Sequence, residues 1–373
     1  LGHLQSIRCP LSHPAPTTDS DGWWSSHHTE ALVVTRLQEV RMTRKTFLFY
    51  PETAATTARS FCLDWNVAAR LCSLYEGQTF IGSPEMRDRL LDLAARMTDQ
   101  SAVIAGFAAT EPEARPDMPA TVVSRMTERA VVATAMLEQG HAQLSDFLDG
   151  TLDPKQVILV DRAPGGVGRV DDLSEIWVQP GYVILLKALT LAASGKDPLA
   201  SIDEFRFWLN FDFRYRPSRE VWLGMLLIGG NGKGKALVEN LLKTQRARTR
   251  AERIRDLWGA SWDVFYTRLV GMTGDVLPEF PRPVVFVSDD EKLIEAVHEV
   301  ELAGVSESRG GNPLGHDYVP IEGYFDQPVA SAVQVAINDL NSRVLEDTRS
   351  AQRIVTQLRI KARHERPRLE QLL

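Results

Sequence analysis

The chain is 373 residues long, with 44% apolar and 24% charged residues and a formal net charge of -7. Such a chain can bury a large core in one or two domains, and its acidic balance excludes a polycation that coats nucleic acid, though not a local basic groove. Cys9, Cys62 and Cys72 are too few and too scattered for a disulfide scaffold or a zinc finger, which points to a reducing, cytoplasmic compartment. The longest apolar run, Tyr182 to Ala193, is interrupted by Lys187 and is too short to span a bilayer, so no membrane partner is expected. No signal peptide is recognisable; the first residue is Leu1 rather than Met, which leaves N-terminal processing open.

Residues 1–44 read as an irregular arm rich in Pro, Trp and His, with a helix over 29–42; His27 and His28 fit a solvated loop better than a metal site. Two apolar runs follow, Phe47–Tyr50 and Phe61–Leu63. The second ends in Asp64 and enters a helix over 66–75, with Val67, Leu71 and Leu74 on one face. From Pro84 to Gly150 the spacing predicts helices over 86–97, 102–109 and 127–148, with Pro112, Pro116 and Pro119 marking a break. Glu111 and Glu138 fall in this region and, taken singly, read as surface acids. A strand over 156–160 precedes DRAPGGVGRVDD, whose glycines suit a hairpin turn better than a phosphate loop. The aromatic stretch 176–215 reads as core rather than as a base-stacking platform.

Gly229 to Ala236, GGNGKGKA, has the glycines and lysine of a P-loop, where backbone amides cradle phosphates. Ala236, however, stands where a Ser or Thr hydroxyl would hold magnesium, and a glycine-rich connection is the plainer reading. Lys243, Arg246, Arg248, Arg250 and Arg253, with Arg255, form the densest basic tract. They make either a solvated helix face or contacts to a nucleic-acid backbone. The tract runs into a helix in which Asp263 sits among Trp258, Trp262, Phe265 and Leu269, an acid expensive to bury without a partner or a metal.

Val284–Val287 is an all-apolar, β-rich run, as expected of a strand buried on both faces. It ends in Ser288, Asp289 and Asp290, and Leu293, Ile294 and Val297 continue at helical spacing. Thus two buried strands each deliver a carboxylate to the carboxyl edge and turn into a helix, the edge where open α/β sheets place their chemistry. Asp is also a good helix N-cap, so capping alone competes with a cation site at these positions. The tail from residue 327 is helical and amphipathic and either covers the sheet or makes a subunit contact.

Three of these patterns resemble the PIN-domain nucleases: LDWNVAARL at Leu63–Leu71, Trp262–Asp263 in an apolar helix, and VVFVSDDEKL at Val284–Leu293. The resemblance implies that Asp64, Asp263 and Asp290 are metal-binding acids, with Asp289 as a substitute for Asp290, Asn66 and Ser288 in support, and Glu111 as a fourth acid. It implies a PIN-like three-layer α/β/α core with a mainly parallel sheet, formed by residues 45–80 and 246–326. An arm (1–44), a mostly helical insertion (81–245) and a helical tail (327–373) complete the division. The activity implied is Mg²⁺- or Mn²⁺-dependent hydrolysis of RNA, with DNA as the alternative substrate. Hard carboxylate oxygens suit those ions, which activate water and offset charge on a phosphodiester. An inhibitor protein or a second copy of the chain is the partner expected at the tail. Two other readings compete: a nucleotide-binding protein built on Gly229–Ala236, and a non-catalytic nucleic-acid-binding or assembly module.

Overall fold

The computed structural model describes residues 46–77, 84–106, 108, 120–157, 178–243, 249–276, 280–294, 306–307, 316–317, 323–342 and 351–373. The chain divides into two units, Leu1–Arg44 and Lys45–Leu373. The first, with Cys9, His27, His28 and the helix expected over 29–42, lies outside the described residues, as do Glu111, Arg246 and Arg248.

The second unit is built on a four-stranded sheet in the order β1-β4-β2-β3, where β1 is Leu48–Tyr50, β2 is Ser60–Leu63, β3 is Ala102–Ile104 and β4 is Val284–Ser288. β2 runs parallel to both β3 and β4, and β1 closes the sheet antiparallel to β4. The expectation that the strands at Phe61 and Val284 belong to one mainly parallel sheet therefore holds, and the two are direct neighbours. The expected helix over 102–109 does not, because Ala102–Ile104 is the edge strand beside β2. Three residues are too few to display a period; strand pairing decides their conformation. β3 also places part of the sheet inside the stretch 81–245.

Side-chain alternation sends β-strand residues to two different layers of helix. Phe61, Leu63, Val103, Val285 and Val287 pack with helices α1 (Trp65–Tyr75), α2 (Pro84–Arg96), α3 (Ala120–Glu138) and α4 (Gly140–Leu148). Tyr50, Cys62, Ile104, Val284 and Phe286 face a second core that includes α5 (Gln179–Ala193), α6 (Pro198–Phe207), α7 (Ser218–Gly229), α8 (Gly232–Leu242) and α9 (Arg250–Val276). Burial on both faces explains why β4 reads as a continuous apolar run.

Two further local expectations change. The single helix expected over 127–148 is two, since Gly140 has φ +75° and redirects the chain between α3 and α4. In place of the start of a strand over 156–160 there is a 3₁₀ turn, Pro154–Gln156, capped by Asp153; residues 158–160 lie outside the described residues. Of the aromatic stretch, Phe205, Trp208 and Phe213 are core, as expected, whereas Phe207 and Phe211 are 54% and 42% exposed; Trp177 lies outside the described residues. The tail forms α10 (Val329–Ser342) and α11 (Ala351–Leu372). α11 seats Leu358, Ala362 and Leu369 in the helical core, and its Glu370 accepts a hydrogen bond from Tyr182 at 2.9 Å. No helix among the described residues is long and apolar enough to cross a membrane.

Candidate active site: an acid cluster at the sheet edge

The register of β2 and β4 brings the first acid to its partners. Leu63 lies opposite Val287, and the Asp64 amide prolongs the ladder by donating to the Val287 carbonyl at 2.9 Å. Ser288 is the next residue on β4, and its Oγ donates to Asp64 Oδ2 at 2.7 Å. Asn66, in the first turn of α1, gives its Nδ2 to the same oxygen at 3.2 Å. Asp64 is 2% exposed, and burial raises its pKa, with the charge of Asp290 adding to the rise and the Ser288 and Asn66 hydrogen bonds opposing it.

Asp290 opens the helix that follows β4. Its Oδ1 accepts from the amides of Lys292 and Leu293 at 3.0 and 3.2 Å, an N-cap arrangement. Its own amide donates to Ser288 Oγ at 3.0 Å. Ser288 thus ties Asp64 to the turn that carries Asp290. Asp289, between them, makes an ion pair with Arg89 of α2.

The third acid comes from α9, which is buried on nearly every side between Leu257 and Val270, where large apolar side chains surround the buried polar residues Ser261, Asp263, Thr267 and Arg268. Tyr266 stacks on Phe286 of β4 with ring centroids 5.0 Å apart. Arg268 pairs with Glu220 of α7 at 2.9 Å, both side chains 3% exposed or less. These contacts fix the rotation of α9. Asp263 lies three residues before Tyr266, on the same helix face and one turn along. It is 8% exposed, and no hydrogen bond from the described residues reaches its carboxyl group. Burial pushes its pKa well above the usual carboxylate range; the charges of Asp64 and Asp290 push it further, and that of Lys243 opposes them.

Asp64, Asp263 and Asp290 therefore share one electrostatic neighbourhood, although they are 199 (64 to 263) and 27 (263 to 290) positions apart in the chain. Among the described residues no group of three or more His, Cys, Asp or Glu side chains is gathered tightly enough to hold a metal ion as it stands. In donor type the three acids still suit Mg²⁺ or Mn²⁺: all are hard oxygens, and their mutual charge favours a cation.

Lys243 ends α8 in a left-handed conformation (φ +56°) and is half-buried. Among the described residues of the basic tract it is the one whose charge acts on Asp263; Arg250 is exposed and Arg253 half-buried at the start of α9. Glu138 is exposed, as expected of a surface acid.

The glycine-rich stretch has a different local setting from a P-loop, in which a strand leads into the loop. Here Trp222–Ile228 is part of helix α7, and α8 follows at once. Asn231 Oδ1 accepts from the amides of Lys233 and Gly234 at 3.1 and 3.2 Å, occupying the helix N-terminus that a phosphate would need. A Cβ on Gly234 would lie 2.6 Å from the Tyr324 carbonyl oxygen. Gly234 is small because Tyr324 crosses it closely, and Gly230 because the Leu226 carbonyl lies against it.

Arg89 is the site neighbour that the sequence did not disclose. Within PEMRDRLLDLAAR it is one of several charges on an amphipathic helix, and only its distance in space from Asp289 distinguishes it. No protein-family model, curated protein or solved structure matches the chain.

Proposed function

We propose that the protein is a divalent-cation-dependent nuclease with a PIN-like core, hydrolysing phosphodiester bonds of RNA at the edge of β2 and β4. The observation that supports this most is Asp263: a buried carboxyl group from a distant helix, without a hydrogen-bond donor among the described residues, in the field of two further carboxylates. Gathering such charges raises their pKa values and costs stability, and functional sites are where that cost is commonly met. Asp64, Asp263 and Asp290 would hold Mg²⁺ or Mn²⁺, which when bound supplies water activation and charge neutralisation at phosphorus. Ser288 and Asn66 orient Asp64 and oppose the rise that burial imposes on its pKa. Lys243 flanks the acids with the positive charge that a nucleic-acid phosphate requires.

A second reading, a non-catalytic α/β protein, draws on the capping role of Asp290 and on the looseness of the cluster. Cleavage of labelled RNA with and without EDTA, by wild type, Asp64→Asn and Asp290→Asn, separates the two. Cleavage that needs Mg²⁺ or Mn²⁺ and falls to background in both variants, with melting temperatures held or raised, is the expected result. Cleavage in EDTA, or undiminished cleavage by both variants, would overturn the proposal.

A further inference from the structure

We infer that Arg89 is a positioning residue of the acid cluster, clamping the Ser288–Asp290 turn through its ion pair with Asp289. This rests on reading the cluster as a cation site. The three residues of the turn go to three places. Ser288 Oγ reaches Asp64 at 2.7 Å, Asp290 Oδ1 caps the following helix, and Asp289 leaves the cluster for Arg89. Arg89 has a firm base, because the next residue, Leu90, and Leu93 are fully buried under the sheet. The ion pair is itself largely covered, with side chains 19% and 22% exposed.

Two consequences follow. The pair turns a fourth carboxylate away from the other three acids and so spares the cluster a further like charge. It also restrains the backbone from which the Asp290 amide meets Ser288 Oγ at 3.0 Å, and so the hydroxyl that Ser288 gives to Asp64. Residues that orient metal ligands in this indirect way typically change metal affinity about 10- to 100-fold when removed.

The test uses the full chain with Arg89→Ala, Arg89→Lys, Asp289→Asn and the Arg89→Ala/Asp289→Asn double variant. Mn²⁺ alone is titrated by electron paramagnetic resonance, and amide hydrogen exchange is followed at Asp290 and Leu293. Arg89→Ala and Asp289→Asn are each expected to weaken Mn²⁺ binding about tenfold and to speed exchange at both amides, with the double variant no worse than either single. Arg89→Lys should recover only part, because an ammonium lacks the planar fork of a guanidinium. Wild-type exchange rates in Arg89→Ala, or fully additive losses in the double variant, would overturn the inference. If wild type binds no Mn²⁺, the cation-site reading fails, and the exchange rates still decide whether the clamp exists.

Discussion

Replacing Asp263 with Asn should make the cation-free protein more stable as pH rises, relative to wild type. An unfolded Asp titrates near about 3.9, whereas burial and the charges of Asp64 and Asp290 hold Asp263 well above that in the folded state. Below about pH 4 the group is protonated in both states and contributes no difference. As pH rises past that point the unfolded chain releases its proton first, so the folded state binds more protons and stability falls. The loss accrues at up to about 1.4 kcal/mol per pH unit and levels off above the folded pKa. Asp64 acts in the same direction, with burial opposed by its hydrogen bonds to Ser288 and Asn66.

Asn has nearly the volume of Asp and no charge to titrate, so it removes this slope. Burying its amide adds an offset of about 1–3 kcal/mol, but that offset does not vary with pH, and the slope is what the test reads. Urea unfolding in EDTA at pH 5, 6 and 7 should show the stability of Asp263→Asn minus that of wild type rising with pH, by at most about 1.4 kcal/mol per pH unit, with m unchanged. Adding Mn²⁺ should shift the difference in favour of wild type, because a cation that binds only the folded wild type stabilises it by about 2.7 kcal/mol at roughly 100 times its Kd. A difference that is flat or falls with pH would refute the reasoning about Asp263, whatever the enzyme assays report.

Ser288→Ala removes a fully buried hydroxyl that serves both Asp64 and the Asp290 amide; chemical denaturation should show a loss of about 1–3 kcal/mol at pH 7, and Mn²⁺ titration a weaker affinity. Gly234→Ala places a methyl group 2.6 Å from the backbone oxygen of Tyr324 and should cost about 1–3 kcal/mol. Exposed Lys235→Ala should shift stability by less than about 0.5 kcal/mol and leave RNA cleavage unchanged. Loss of measurable ATP binding in Lys235→Ala would instead restore a nucleotide-binding role for this stretch.

The parts of the fold that could be read from sequence are those with an unambiguous local signal. Val284–Val287 is apolar at consecutive positions because both faces of β4 are covered, and the acids at its end mark where the strand leaves the core. The two parallel strands, and the placement of Asp64 beside the β4 turn, follow from that pattern. β3 was not legible, because Ala-Val-Ile has no period of its own and becomes a strand by pairing with β2. The glycines at 230–234 were misleading for a related reason. The Tyr324 carbonyl, some ninety positions later, requires Gly234 to be small, the Leu226 carbonyl requires the same of Gly230, and glycine spacing alone does not distinguish a crowding backbone from a phosphate. Asp263 stood out as an acid in an apolar helix, but its approach to Asp64 depends on Tyr266 stacking on Phe286 and on Arg268 pairing with Glu220, contacts that no local window contains.

The competition between capping and chemistry can be weighed acid by acid. Asp64 occupies the N-cap position of α1, yet its side chain makes no capping hydrogen bond to that helix; Oδ2 is taken by Ser288 and Asn66. Asp263 lies in the middle of α9, where the backbone amides are already bonded within the helix, so no cap is available to it. Capping accounts for Asp290 alone, and there it engages only Oδ1. Among the described residues no hydrogen bond reaches Asp290 Oδ2. A helix start can thus be capped and still leave one carboxylate oxygen for a cation, and capping does not explain why Asp64 and Asp263 are buried. Were the cluster only structural, replacing Asp263 with a well-packed neutral residue would stabilise the fold at no cost to function. That it stands in the field of two further carboxylates is what favours a cation site over a set of caps.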